Sequence, residues 1–359
     1  MAAKQYETLN AVRGLAALAV VALHTVPVSV WWRPVAAYRA VDVFFILSGF
    51  VLAHAYDNRF AVKMTFRQFM AIRLIRLWPL YALGVAMSVL VLVAGTRVGM
   101  HLAWPSFGAL FAAGALALVW LPTPTFLSAG VALYPMNYAF WSLAFELAVN
   151  ALFAAIWRAL TPRVLIAIVG VSAILLTIVA IAHRSLDVGP LWSDMAYGVP
   201  RTTFSFFMGV LIYRTNFRIR TALAPWLLLM LPILFWFTGG QWSALVDLTS
   251  ILVIFPLLLG VWSAHEPTRW ARIADFLGKT SYAVYITHGP IGFAMGGVLK
   301  YLKMDPADHA LALLAVLMAA LLAWCWAVDK YVDTPLRRRL MARFGLNLRA
   351  APAAAARAD

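Results

Sequence analysis

Residues 9–25 read LNAVRGLAALAVVALHT. The run is apolar enough to open a bilayer-spanning helix over 9–31, yet it carries Arg13 near its start and His24 deeper inside. An ionisable side chain at the bilayer centre costs about 2.5–3.5 kcal/mol or more, so groups kept there have a partner or a task. At 100° per residue, the eleven residues from Arg13 to His24 make three turns plus about 20°. Both side chains therefore share one helix face, separated along the axis by roughly 16 Å.

The rest of the chain repeats this membrane signature. It is 64% apolar and only 12% charged, with many apolar runs of about twenty residues, the length a helix needs to span. In lipid the backbone must satisfy its own hydrogen bonds, so such runs are helices. The short alternating strands of a transmembrane barrel are missing from the pattern. The expected fold is an all-α polytopic membrane protein. Eleven segments are candidate spans: 9–31, 36–56, 74–95, 102–121, 137–157, 163–183, 199–214, 222–238, 242–263, 281–301 and 309–331. Basic clusters lie at 57–76, 158–163, 214–220 and 269–279 and in the tail RRRLMARF. All of them can be cytoplasmic only if one segment between 95 and 137 fails to cross. Pro105 and Pro122 bracket 102–121, which is therefore the re-entrant or interfacial candidate. The expectation is a bundle of about ten transmembrane helices in a bacterial inner membrane, both termini cytoplasmic, with the linker after 121 outside. The formal net charge of +15 then sets orientation and meets lipid headgroups; it is no nucleic-acid signature. A single cysteine, Cys325, excludes an intramolecular disulfide and a thiol-rich metal site, and no metal is expected. Arg13 and His24 also argue against reading the first span as a cleaved leader.

Four stretches can carry chemistry. Arg13 with His24 places a permanent anion ligand and a titratable base on one wall; snorkelling by the arginine and a structural histidine would explain the same pair. In NYAFWSLAFELAVN (137–150), Ser142, Glu146 and Asn150 recur at i, i+4 and i+8 on one face. A lone intramembrane Glu needs a partner, and Arg13, His24, Arg201 and His288 are the available ones. Glu146 orienting His24 is the sharpest reading, a helix-joining hydrogen bond the bland one. In IRLIRLWPLY (72–81), Arg73 and Arg76 form an i, i+3 fork suited to phosphate, or to lipid anchoring. In SYAVYITHGP (281–290), Ser281, Tyr285 and His288 share a face. Asp42, in VDVFFILSGF (41–50), is placed to meet a basic group at the outer mouth, and Gly49 to pack closely.

Taken in order, these elements resemble the integral-membrane acyltransferase-3 family, which O-acylates sugars and related acceptors. The match comprises Arg13 and His24 with ten residues between, DVFFILSGF, RLIRLWP, WSLAFE, SYAVYITH and DTPLRR. It covers residues 9 to about 338, and Asp333 stands where the family more often has Glu. The resemblance implies acyl-coenzyme A as donor co-substrate, acetyl foremost, and a carbohydrate-type or glycan-like acceptor. The chain is thus expected to divide into an integral-membrane acyltransferase domain, 1–338, and a basic then Ala-rich cytoplasmic tail, 339–359, whose low complexity implies no fixed structure. The expected roles are His24 as general base assisted by Glu146, with Arg13, Arg73 and Arg76 on the donor's phosphates. Asp42, Trp141, Ser142, Arg201, Tyr285 and His288 form the acceptor-facing set. A covalent acyl-histidine remains open beside direct transfer. The alternative function is a proton-coupled membrane transporter, which uses the same intramembrane ionisable residues; no symmetry between the halves supports it.

Overall fold

The computed structural model describes residues 6–97, 104–128, 130–266 and 269–346. Thirteen α-helices occupy them: α1 Glu7–Thr25, α2 Ala40–Val62, α3 Phe66–Arg97, α4 Phe107–Leu118, α5 Phe140–Ile156, α6 Pro162–His183, α7 Met195–Arg214, α8 Met230–Trp236, α9 Ser243–Thr249, α10 Phe255–Trp262, α11 Ala271–Tyr301, α12 Ala310–Val328 and α13 Thr334–Arg343. The described residues contain no β-strand, only an isolated bridge between Ala132 and Leu191.

Seven helical stretches are long and apolar enough to cross a membrane: Glu7–Thr25, Ala37–Val62, Phe66–Arg97, Phe140–Ala159, Pro162–His183, Gly240–Trp262 and Ala310–Arg343. The protein is therefore an integral membrane protein built as a helical bundle. Two further long helices, α7 and α11, are interrupted by the polar side chains Arg201, Ser281, Tyr285 and His288, all buried inside the bundle.

The remaining expected segments are shorter than their apolar runs. Of 102–121, residues 102 and 103 lie outside the described residues, and α4 covers twelve residues, about 18 Å of rise against a hydrocarbon core of roughly 30 Å. Of 222–238, only Trp226–Trp236 is helical. Its flanks nevertheless reach opposite ends, because the Ile219 amide donates to the Gly260 carbonyl while Arg39 Nη1 donates to the Phe237 carbonyl. The expected tail boundary at 338/339 falls inside α13, which runs on to Arg343; the Ala-rich part, 347–359, lies outside the described residues.

The bundle has two chemically different ends. At one, Arg214 grips Asp57 through Nε and Nη2, both at 2.8 Å, and donates through Nη1 to the Leu160 carbonyl. Trp157 Nε1 donates to the same carboxylate at 2.7 Å. This basic end gathers the α2–α3, α5–α6 and post-α7 connections. At the other, the 122–136 linker joins the 184–194 loop through Leu133 N to Pro190 O and Trp192 N to Val131 O. That loop also donates from Leu186 N to Asp247 Oδ2 at 2.7 Å, and Asp247 accepts from Arg39 Nε at 2.5 Å and Tyr38 OH at 2.8 Å.

Two glycines bring α2 and α7 into backbone contact. A Cβ at Gly49 would overlap the Phe206 carbonyl oxygen, and one at Gly209 would overlap that of Ile46. Without a hydrophobic force between helices in lipid, such close approach is a main source of association. It holds α2, which lines the site, against α7, which carries Arg201.

Candidate active site

A cavity of about 420 Å³ opens among α1, α2, α3, α5, α11 and the α12–α13 junction. Arg13, Arg73, Arg76, Ser142, Glu146 and Tyr285, widely separated in sequence, all line it. Local features of α1, α3 and α11 accompany several of them. Arg13 lies one turn after Asn10, whose Oδ1 accepts from its guanidinium at 2.8 Å. Arg73 and Arg76 precede Pro79, which α3 tolerates inside its length although proline cannot donate to the helix ladder. On α11, Pro290 likewise leaves the Ile286 carbonyl without its usual partner, and Asn137 Nδ2 donates to that carbonyl at 2.9 Å.

The lining carries five basic groups, Arg13, Arg73, Arg76, Lys279 and Arg337, against three carboxylates, Glu146, Asp329 and Asp333. Lys279 is also paired with Asp275 outside the lining, at 2.5 Å. Glu146 Oε1 accepts from Arg73 Nη2 and from Ser48 Oγ, both at 2.9 Å. Arg337 pairs with Asp329 at 3.3 Å and with Asp333. Two buried polar atoms of the lining residues stay without a hydrogen bond among the described residues, Arg73 Nε and Asp333 Oδ1. The chamber thus has surplus positive charge, one unsatisfied donor and one unsatisfied acceptor. Such a lining suits an anion that also carries polar N–H or O–H groups.

At the inner limit of this chamber Ser142 Oγ and Tyr285 OH are hydrogen-bonded at 2.7 Å. Beyond them lie the two histidines, neither in the cavity lining. His24 Nδ1 is 3.1 Å from His288 Nε2, with the rings stacked at a centroid distance of 5.1 Å. His288 Nδ1 is 2.8 Å from the Tyr285 carbonyl oxygen. His288 is 2% exposed, whereas His24, in the last turn of α1, is exposed. Tyr285 is therefore shared, its hydroxyl in the chamber and its carbonyl on the histidine pair.

The structure brings the expected residues together only in part. Glu146 and His24, expected as partners, are not paired: the carboxylate is held by α3 and α2, and the imidazole by α11. Their separation follows from position, since Glu146 sits with the arginines and His24 eleven residues further along α1 from Arg13. Asp42, Arg201 and Trp141 also lie off the cavity. Arg201 grips Asp42 through Nε and Nη2 at 2.7–3.1 Å, donates to the Val188 and Tyr38 carbonyls, and lies 5.8 Å from the Trp141 ring centroid. Both partners of that ion pair are fully buried. The third member of the expected α5 stripe, Asn150, is buried away from the cavity with both side-chain polar atoms unpaired.

Sequence reasoning missed Asp329, Asp333 and Arg337 as cavity residues. Their i, i+4, i+8 spacing at the end of an apolar run was the available signal. Asp329 and Asp333 lie in a π-helical widening between α12 and α13, a feature frequent at functional sites and without a clear sequence mark, and Arg337 follows one turn later in α13. Among the described residues no three His, Cys, Asp or Glu side chains meet as a metal site.

A family model described as an acyltransferase domain matches residues 6–330. Among curated proteins, "Protein 2 in picA locus" of Rhizobium radiobacter is 35% identical over 185 residues, which is 49% of this chain and 95% of that protein. No solved structure matches the chain.

Proposed function

The chain belongs to the acyltransferase family whose model spans residues 6–330, and from that premise we propose that it moves an acyl group, acetyl foremost, from acyl-coenzyme A to a hydroxyl of a carbohydrate-type acceptor. The observation that supports this most is the chamber itself. Its volume of about 420 Å³ lies within the ordinary range for small-molecule sites, and its charge surplus and unpaired Arg73 Nε fit a phosphorylated donor. Arg13, Arg73 and Arg76 are the residues to hold the phosphates, with Glu146 keeping Arg73 in place. The thin acyl-pantetheine arm then points past Ser142 and Tyr285 toward the histidine pair, along a path of roughly 16 Å by helix rise.

At the far end of that path His24 acts as the base. Its ring takes the proton of the acceptor hydroxyl while the oxygen bonds to the thioester carbonyl carbon, and the proton is returned to the departing thiolate sulfur. The basic end of the bundle is the cytoplasmic side in this reading, following the positive-inside rule, and both termini lie there in the bacterial inner membrane. With α4 as the re-entrant or interfacial piece and 222–238 counted as a crossing, ten crossings result. Asp42 and Arg201 hold the 184–194 loop and Trp141 in place for the acceptor without binding it themselves.

Binding of acetyl-coenzyme A to the purified protein, wild type beside Arg76→Ala, tests the donor. Arg76 lines the chamber and makes no hydrogen bond among the described residues, so its removal spares the surrounding ion pairs. Loss of one charge-assisted contact should weaken saturable binding about tenfold or more. No saturable binding to the wild type, or equal affinity in the variant, removes the donor assignment and reopens the transporter reading.

A further inference from the structure

We propose that His288 is a positioning residue that fixes the tautomer of His24, holding its Nε2 lone pair free to act as the base. The inference rests on one chain of hydrogen bonds. The Tyr285 carbonyl oxygen can only accept, so His288 Nδ1, 2.8 Å away, carries the hydrogen. In the neutral ring His288 Nε2 is then the lone-pair nitrogen. That atom lies 3.1 Å from His24 Nδ1, which must therefore donate. His24 is left with its hydrogen on Nδ1 and a bare Nε2. The opposite tautomer of His24 would set two lone pairs against each other at the same distance.

The backbone makes this orientation durable. Tyr285 is buried in α11 with its hydroxyl tied to Ser142, and the turn that carries His288 is anchored by Asn137 at the Ile286 carbonyl. His288 is nearly without exposure while His24 is exposed, so the buried ring sets the state of the accessible one. The role expected for Glu146 thus passes to a second histidine. When His24 Nε2 takes the acceptor's proton, the Nδ1 hydrogen remains bonded to His288 Nε2, which spreads the new charge over two rings without placing a carboxylate in the path.

The inference builds on the acyl-transfer reading, and its test is arranged to fail separately from it. Diethyl pyrocarbonate carbethoxylates a neutral imidazole: a ring nitrogen bonds to the carbonyl carbon, the other nitrogen loses its proton, and ethanol and carbon dioxide leave. The rate of this reaction at His24, read by peptide mass spectrometry, reports whether the outward nitrogen holds the lone pair. His288→Gln places an amide oxygen able to accept near the lost Nε2, whereas His288→Leu removes the ring nitrogen that accepts there. The expected result is a rate close to wild type for His288→Gln and a several-fold slower one for His288→Leu, with acetyl-coenzyme A affinity the same in all three. Equal His24 rates in wild type and His288→Leu overturn the proposal, and so does a His288→Gln rate as low as that of His288→Leu. Donor affinity lost in His288→Leu also overturns it, because His288 would then be a substrate ligand. Failure of the wild type to bind acetyl-coenzyme A sinks the donor assignment alone and leaves the labelling comparison to decide the histidine pair.

Discussion

At the scale of single residues the structure separates the surroundings of two side chains that the sequence places on one helix face. Arg13 and His24 do share a helix, but one lines a charged chamber and the other meets His288 beyond it. If His24 is the base, as proposed, its removal should be severe: His24→Ala is expected to insert normally and to lose acyl transfer by about 10²–10⁴-fold, the usual worth of a positioned proton acceptor. Undiminished transfer by a normally inserted variant rejects the assignment. Glu146→Gln distinguishes the two roles open to that carboxylate. If it holds Arg73, as the 2.9 Å contact indicates, the amide should raise the donor KM while kcat changes little. A fall in kcat at constant KM would instead restore the expected action of Glu146 on His24. The arginine fork and the polar positions of α5 and α11 were legible because helical spacing fixes which residues share a face. The His24–His288 contact was not, since nothing in a sequence reports which faces meet across 264 positions.

Helices were the most legible level, because the need to satisfy the backbone in lipid turns every long apolar run into the same object. Where the expectation slipped, local chemistry had intervened: 222–238 loses helical length on either side of Trp226–Trp236, and α13 continues through a stretch read as tail. The segment containing Asp329 and Asp333 closes the expected 309–331 span; it is π-helical there, and both carboxylates line the cavity. Packing between helices gives the prediction proper to this scale. Gly49→Ala or Gly209→Ala forces a methyl group into the backbone of the facing helix, and overpacking of this kind costs about 1–3 kcal/mol. Each should lower the thermal unfolding midpoint of the detergent-solubilised protein by several degrees. Gly170→Ala on α6 is the matched control: its added Cβ meets nothing within 4 Å, and alanine there gains about 0.5–1 kcal/mol of helix preference. If all three variants melt alike, the α2–α7 contact is not as close as described.

For the whole molecule, the topology expected from charge counting can be tested on the loop contacts that the structure describes. Five basic clusters assigned the linker 122–136 to the outside, and the structure ties that linker to the 184–194 loop and thence to Arg39 and Asp247. Asp57, Trp157 and Arg214 gather the opposite end. On the proposed topology the two groups lie on opposite sides of one membrane. Single cysteines introduced at Ser29, Phe126 and Asp187, all exposed, should react together with an impermeant maleimide from the periplasmic side of intact cells. Cysteines at Asn58 and Thr215 should react only after the membrane is opened. Cys325 is buried and free, so it contributes little background and can be replaced if it does. Labelling of Phe126→Cys with the Asn58 group would place the linker at the basic end, against both the charge pattern and the hydrogen bonds of the loop. Labelling of all five from one side would dismantle the two-ended bundle. The predicted split, by contrast, would put Arg13, in the second turn of α1, toward the cytoplasm and His24, in its last turn, toward the other side, and on the proposed reaction the acyl group would then pass through the bundle.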